Sequence, residues 1–149
     1  MTNKIFAGPA GSIPVLVEGI VADAFTAGQL LERTVDTGIT KLATTAKAST
    51  TFGNETLIAK EVPSTLGGHI DTPWEVNNTG ESIAPATGDF IWLSIAAGQN
   101  FIKKGMAIAS NGDGDFKIGA TDGTEQIFAF NRDIINVTAA QTLVLCRVA

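Results

Sequence analysis

Apolar positions along the chain fall in short runs, each closed off by glycine, proline or a small polar residue. The clearest case is Thr87–Ser110. There Phe90-Ile91-Trp92-Leu93 and Gly105-Met106-Ala107-Ile108-Ala109 flank an Ala-Gly-Gln turn and the basic pair Lys103-Lys104. Aromatic and β-branched side chains fit a pleated, half-buried surface, so this stretch predicts strand, turn, strand. Further strands are expected near Phe116–Ala120, Ile127–Phe130 and Thr142–Val148. The joins hold Gly98, Asn111-Gly112-Asp113-Gly114 and Asp122-Gly123, all favoured sites for positive φ. Asn131–Ala140 is the one place where a helical turn fits. Strands this short, at intervals of about 8–12 residues, indicate a small barrel or sandwich.

The first half is less regular. Ile13–Ala24 predicts a strand pair or one bent strand, with Gly19 able to host a bulge. Phe25–Gln29 turns into Leu30–Val35, where Thr34 and Val35, followed by Asp36-Thr37-Gly38, favour strand and turn over helix. Ile39–Ser49 alternates imperfectly and is read as strand, Phe52–Glu55 as a turn, and Thr56–Val62 as another strand. Ala-Gly-Gln occurs at 27–29 and again at 97–99, each time followed by a strand, a glycine-containing turn and two more strands. Two related β-lobes account for that echo, and so does chance reuse of a common turn.

On this pattern the chain divides into an irregular N-terminal arm over 1–14, a first β-lobe over 15–62, an ordered crossing over 63–80 and a second β-lobe over 81–149. The whole is expected to form one compact, mainly β domain of barrel- or sandwich-like lobes. Gly8, Pro9, Gly11 and Pro14 break the arm, which either frays or docks on a neighbour. Pro63, Gly67, Gly68, Pro73 and Gly80 break the crossing, yet it carries Ile70 and Trp74. Burial of Trp74 would keep it from being a free linker.

Composition narrows the function classes. At 44% hydrophobic and 17% charged, the 149-residue chain is too apolar for disorder and has few charges to spare for chemistry. A net charge of −5 argues against nucleic acid, whose phosphates it would not neutralise. The single cysteine, Cys146, has no internal partner and is expected to be a small buried hydrophobe, consistent with assembly in a reducing compartment. No signal peptide is recognised and no run approaches a spanning helix, so a membrane partner is not expected and synthesis in the cytosol is.

Catalytic constellations are missing. His69 is the sole histidine and is expected in a surface loop; no Gly-x-Ser-x-Gly elbow accompanies it. Asn111-Gly112-Asp113-Gly114-Asp115 imitates the first half of a calcium loop, but Phe116 stands where the turn glycine belongs and Asp122 where a bidentate Glu is required. Turn conformation alone explains that string. The carboxylate pairs Asp71/Glu75 and Asp113/Asp115 are the only candidates left for acid–base work. No enzyme, cofactor or metal is expected.

The second lobe resembles tailed-bacteriophage head decoration (capsid cement) proteins. The resemblance rests on Gly88-Asp89-Phe90, Ala97-Gly98-Gln99, Lys104-Gly105-Met106-Ala107-Ile108, Asn111–Asp115, Phe128-Ala129-Phe130 and Leu143–Val148, and covers roughly residues 80–149. It implies a non-enzymatic virion protein on the outer surface of the expanded head, made in the host cytoplasm, that stabilises the shell. Its implied partners are the major capsid protein and further copies of itself, a homotrimer before a homodimer. By position, the implied contacts are Thr2, Asn3, Lys4, Ile5, Phe6 and Ile13 of the arm, with His69 and Trp74 of the crossing. Main-chain pairing by an arm and multivalent attachment would supply the affinity. The alternative is a phage tail- or fibre-associated β-module that binds carbohydrate on an exposed Trp74 or Trp92. Of the two, Trp92 is expected in the core.

Overall fold

Short strands leave their outer main-chain groups unsatisfied unless the sheet closes on itself. This chain closes twice. The computed structural model describes residues 4–9, 11, 13–36, 38–45 and 55–149. Among them are thirteen strands, one 3-10 turn at Ser64–Leu66 and no α-helix. Strand β1 is Phe6–Gly8. A first barrel is built from β2 (Val15–Val21), β3 (Leu30–Asp36), β4 (Ile39–Thr44), β5 (Leu57–Ala59) and β6 (Thr79–Ala84), closed in the order β2-β4-β3-β5-β6. The later strands are β7 (Phe90–Ile95), β8 (Gln99–Phe101), β9 (Ala107–Ser110), β10 (Phe116–Ile118), β11 (Ala129–Asn131), β12 (Ile135–Val137) and β13 (Thr142–Val148). Of these, β7-β10-β9-β11-β13 form a second barrel, closed by pairing of β7 with β13.

The two barrels trace the same path. In each, the first strand runs antiparallel to the fifth and parallel to the third, and the second pairs with the third and fourth. In each, an Ala-Gly-Gln turn separates the first strand from the second, with Gly28 and Gly98 both at φ 85°. Outside the barrel strands, Phe25 and Trp74 form an isolated bridge beside the first barrel, and β8 pairs with β12 beside the second. The echo at 27–29 and 97–99 thus marks equivalent turns of a repeated topology.

Side-chain alternation assigns each strand face to a core. Val21, Phe25, Leu31, Leu42, Leu57, Ala59 and Trp74 fill the first barrel. Leu30, Ile58 and Ile83 stand side by side across β3, β5 and β6 and belong instead to the larger core around the second barrel. Strand β5 is therefore buried on both faces, which explains why Leu57-Ile58-Ala59 is continuously apolar. Main-chain bonds reinforce the join, with Leu30 N–H donating to Gly114 O at 2.7 Å and Ser94 N–H to Gly28 O at 2.9 Å.

Four details depart from the sequence expectation. Asn131–Ala140 contains no helical turn; Ile134, Ile135 and Val137 are β-branched, and β12 pairs with β8. Gln99–Phe101, expected as turn, is that partner strand. Within the arm, Phe6–Gly8 is a strand on β7 rather than irregular chain. Strand Thr79–Ala84, which spans the expected join at 80/81, lies in the first barrel.

Candidate functional site

A cleft of about 1060 Å³ opens between the barrels, beside the crossing segment. Trp92 and Leu143 of the second barrel form one wall, Lys60–Thr65 and Gly68–Asp71 the other, and Lys4 of the arm stands at its margin. Trp92 is half-buried and packs on the second core, leaving part of its ring toward the cleft. The charged groups here are largely committed to structure. Lys60 Nζ forms an ion pair with Glu81 at 2.7 Å, and Glu61 Oε2 accepts the Ile5 N–H at 3.0 Å, tying the arm down. His69 is exposed at a tight turn, its N–H donating to Thr72 Oγ1 at 2.8 Å.

The expected contact residues are divided between surface and core. Lys4 and His69 both line the cleft. Phe6 is half-buried in β1, opposite Ile91. Ile5 is fully buried in the second core, and its carbonyl accepts the Trp92 N–H at 2.8 Å. Trp74 retains only 6% of its exposure, and its Nε1 donates to Lys60 O at 2.7 Å. Ile13 stands 90% exposed, away from the cleft. Thr2 and Asn3 lie outside the described residues. Trp74 is buried, as the reading of 63–80 as an ordered crossing requires, and Trp92 packs on the second core while also bordering the cleft.

The turn Asn111–Asp115 shows why its carboxylates do not converge. Asp113 folds back on its own turn, accepting from Asn111 Nδ2 and Asp115 N–H, both at 3.0 Å. Asp115 points inward instead, accepting from Ser94 Oγ at 2.8 Å and Gln29 Nε2 at 3.1 Å. That buried trio joins the Ala-Gly-Gln turn of the first barrel to the second barrel. Asp71 lines the cleft, whereas Glu75 borders a separate hollow beside Trp74. Among the described residues no group of three His, Cys, Asp or Glu side chains is placed to hold a metal. Cys146 is buried, and that burial, with Asp133 nearby, raises its thiol far above the ordinary range, away from nucleophilic use. The Asp122 carboxyl is held below its usual range by the Thr124 hydroxyl and then the Thr124 N–H, on a fully exposed turn.

No family model and no curated protein matches this chain. Among solved structures it is similar to the N base of the head fiber gp8.5 of bacteriophage phi29. That correspondence has a TM-score of 0.58 at 13% identity and covers 92% of this chain and 95% of the other. The likeness is one of fold, and it spans both barrels together rather than one.

Two features of the surface escape residue-by-residue reasoning. Val15 and Leu16, read from sequence as ordinary strand residues, are exposed at 64% and 51%. Their exposure depends on where β4 joins β2, which no local pattern encodes. The inward turn of Asp115 likewise depends on Gln29, a partner 86 positions away.

Proposed function

We propose that this protein is a non-enzymatic structural component of a tailed-phage virion, seated on the outer surface of the head as a decoration or base protein. The observation that carries this reading is the two-barrel likeness to a head-fiber base over nearly the whole of both chains. A rigid, doubly closed β-scaffold joined by a common core suits a part that bears load rather than one that turns over substrate. The major capsid protein is the proposed partner, and stabilisation of the expanded head the proposed role. Of the contact residues expected from sequence, exposed Lys4, Ile13 and His69 are the ones proposed to touch the shell directly. Ile5 and Trp74 act from within, by fixing the arm and the crossing.

Co-sedimentation with expanded heads and with unexpanded precursors tests the proposal. Saturable binding to expanded heads, weakened in a Lys4→Glu/His69→Glu variant that unfolds like the wild type, is the expected result. A protein that ignores both shells but is retained on a glycan array overturns it in favour of a carbohydrate-binding module working through Trp92.

A further inference from the structure

The first barrel closes through the end of β2 alone, and among the described residues the rest of that strand is unpaired on one side. β2 pairs with β6 from Val15 to Ile20, but on its other side it meets β4 only at Ile20 and Val21. Successive residues of a strand turn their N–H and C=O alternately to the two sides. Val21 turns toward the β6 side, its N–H donating to Asn78 O and its carbonyl accepting from Asn77 N–H, both at 2.9 Å. Ala22 turns toward β4, its N–H donating to Leu42 O at 2.7 Å. By the same alternation Leu16 and Glu18 direct their main-chain groups away from β6. Among the described residues no strand pairs with Val15–Gly19 on that side. The neighbouring side chains Ile13, Val15 and Leu16 are bare to solvent. An apolar, uncovered edge is a template for another strand.

The second barrel carries the same edge, and there it is covered. β7 is the counterpart of β2, and β10 meets it only at Ile95. The leading part of β7 is paired antiparallel by β1, with Phe6 opposite Ile91 and Gly8 opposite Phe90. This topology therefore accepts one extended antiparallel strand at a place that the first barrel leaves unfilled.

We propose that the missing strand is the same edge of a second copy, the two β2 strands pairing antiparallel about a two-fold axis at Val17. Three registers bring the outward groups together. Centring on Glu18 sets the two carboxylates directly opposite one another, and like charges across a pair are unfavourable. Centring on Leu16 sets Pro14 against Glu18 of the partner subunit, and proline has no N–H to give. Centring on Val17 joins Leu16 to Glu18 of the partner subunit, twice over, and leaves Pro14 just beyond the ladder as a stop. The patch is thus self-complementary, as a two-fold contact must be. The contact is short, so the pair is expected to be weak and concentration-dependent. It stands independently of the capsid reading.

Sedimentation velocity on the full chain, from about 1 µM to about 500 µM, tests this over the range expected of a small interface. The expected result is a monomer–dimer equilibrium weakened about tenfold or more by Leu16→Pro and by Leu16→Lys. Leu16→Pro removes only the outward N–H and leaves the β2–β6 ladder intact. Val17→Cys gives a positive signature: oxidised, it should trap a disulfide-linked dimer, whereas Leu16→Cys, which faces Glu18 of the partner subunit, should not. Should Leu16→Pro fail to fold, Leu16→Lys and the cross-linking contrast still decide. A monomer throughout the range overturns the proposal. So does a trimer or larger assembly that survives both Leu16 variants.

Discussion

Two glycines with one backbone conformation are asked for different things. Gly28 and Gly98 both sit at φ 85° in Ala-Gly-Gln turns. A Cβ on Gly28 would lie 2.6 Å from Leu143 Cδ2 and 2.9 Å from Ser94 N, whereas one on Gly98 meets nothing within 4 Å. Gly98→Ala should cost about 1–2 kcal/mol, the strain of a left-handed non-glycine residue. Gly28→Ala adds overpacking at the join of the barrels, about 1–3 kcal/mol more. Urea unfolding of the two variants measures the difference, and equal losses would contradict the close approach. Cys146 gives a pH-dependent counterpart. Its folded thiol stays protonated well above the pH, about 8.5, at which an unfolded thiol ionises. The unfolded state sheds the proton first, so this contribution is full below that pH and is lost as pH rises toward the folded value. Cys146→Ala should therefore flatten the fall in stability above about pH 9 relative to the wild type, read from denaturation midpoints.

At the scale of the element, the N-terminal arm changes meaning. Ile5 is part of the second core and β1 covers the edge of β7, so truncation removes structure as well as surface. Ile5→Ala should cost about 2–5 kcal/mol, in line with other large-to-small core changes. Loss of shell binding on deleting the arm would not by itself locate a contact; Lys4→Glu, which leaves the core alone, makes that distinction. The strand pattern was legible where one local signal governed it. Phe90–Ile95 and Thr142–Val148 are dense in β-branched and aromatic residues and form strands over those same spans. Gln99–Phe101 was not legible, because Gln99-Asn100 looks like turn and is held extended by a partner more than thirty positions away. The order of the arm is hidden for the same reason, since Gly8 and Pro9 break local regularity while Glu61 and Trp92 restore it from afar. As for the candidate site, the sequence singled out Lys4 and His69 but held no sign that a cleft would unite them. Burial of Trp74 was legible from the apolar residues of the broken crossing, whereas the place of Trp92 at the rim of the cleft was not, since it depends on how the crossing lies beside the second barrel.

For the whole molecule, the repeated topology supplies two barrels but not two independent units. Leu30, Ile58 and Ile83 lend their side chains to the neighbouring core, and Asp115, which also accepts from Ser94 of its own barrel, holds Gln29 across the join. The two tryptophans are consequently placed as separate optical reporters. Trp74 sits in the core of the first barrel and Trp92 against that of the second. Single-tryptophan proteins, made by Trp92→Phe and Trp74→Phe, report each barrel by its own fluorescence during denaturant unfolding. A shared core predicts that, once each variant's own stability is allowed for, each emission change coincides with the loss of circular dichroism in the same sample, because neither barrel keeps its packing after the other has gone. A Trp92 signal that moves ahead of the dichroism would mean that the cleft wall loosens first. The face that borders the cleft would then yield under load before the barrels themselves do.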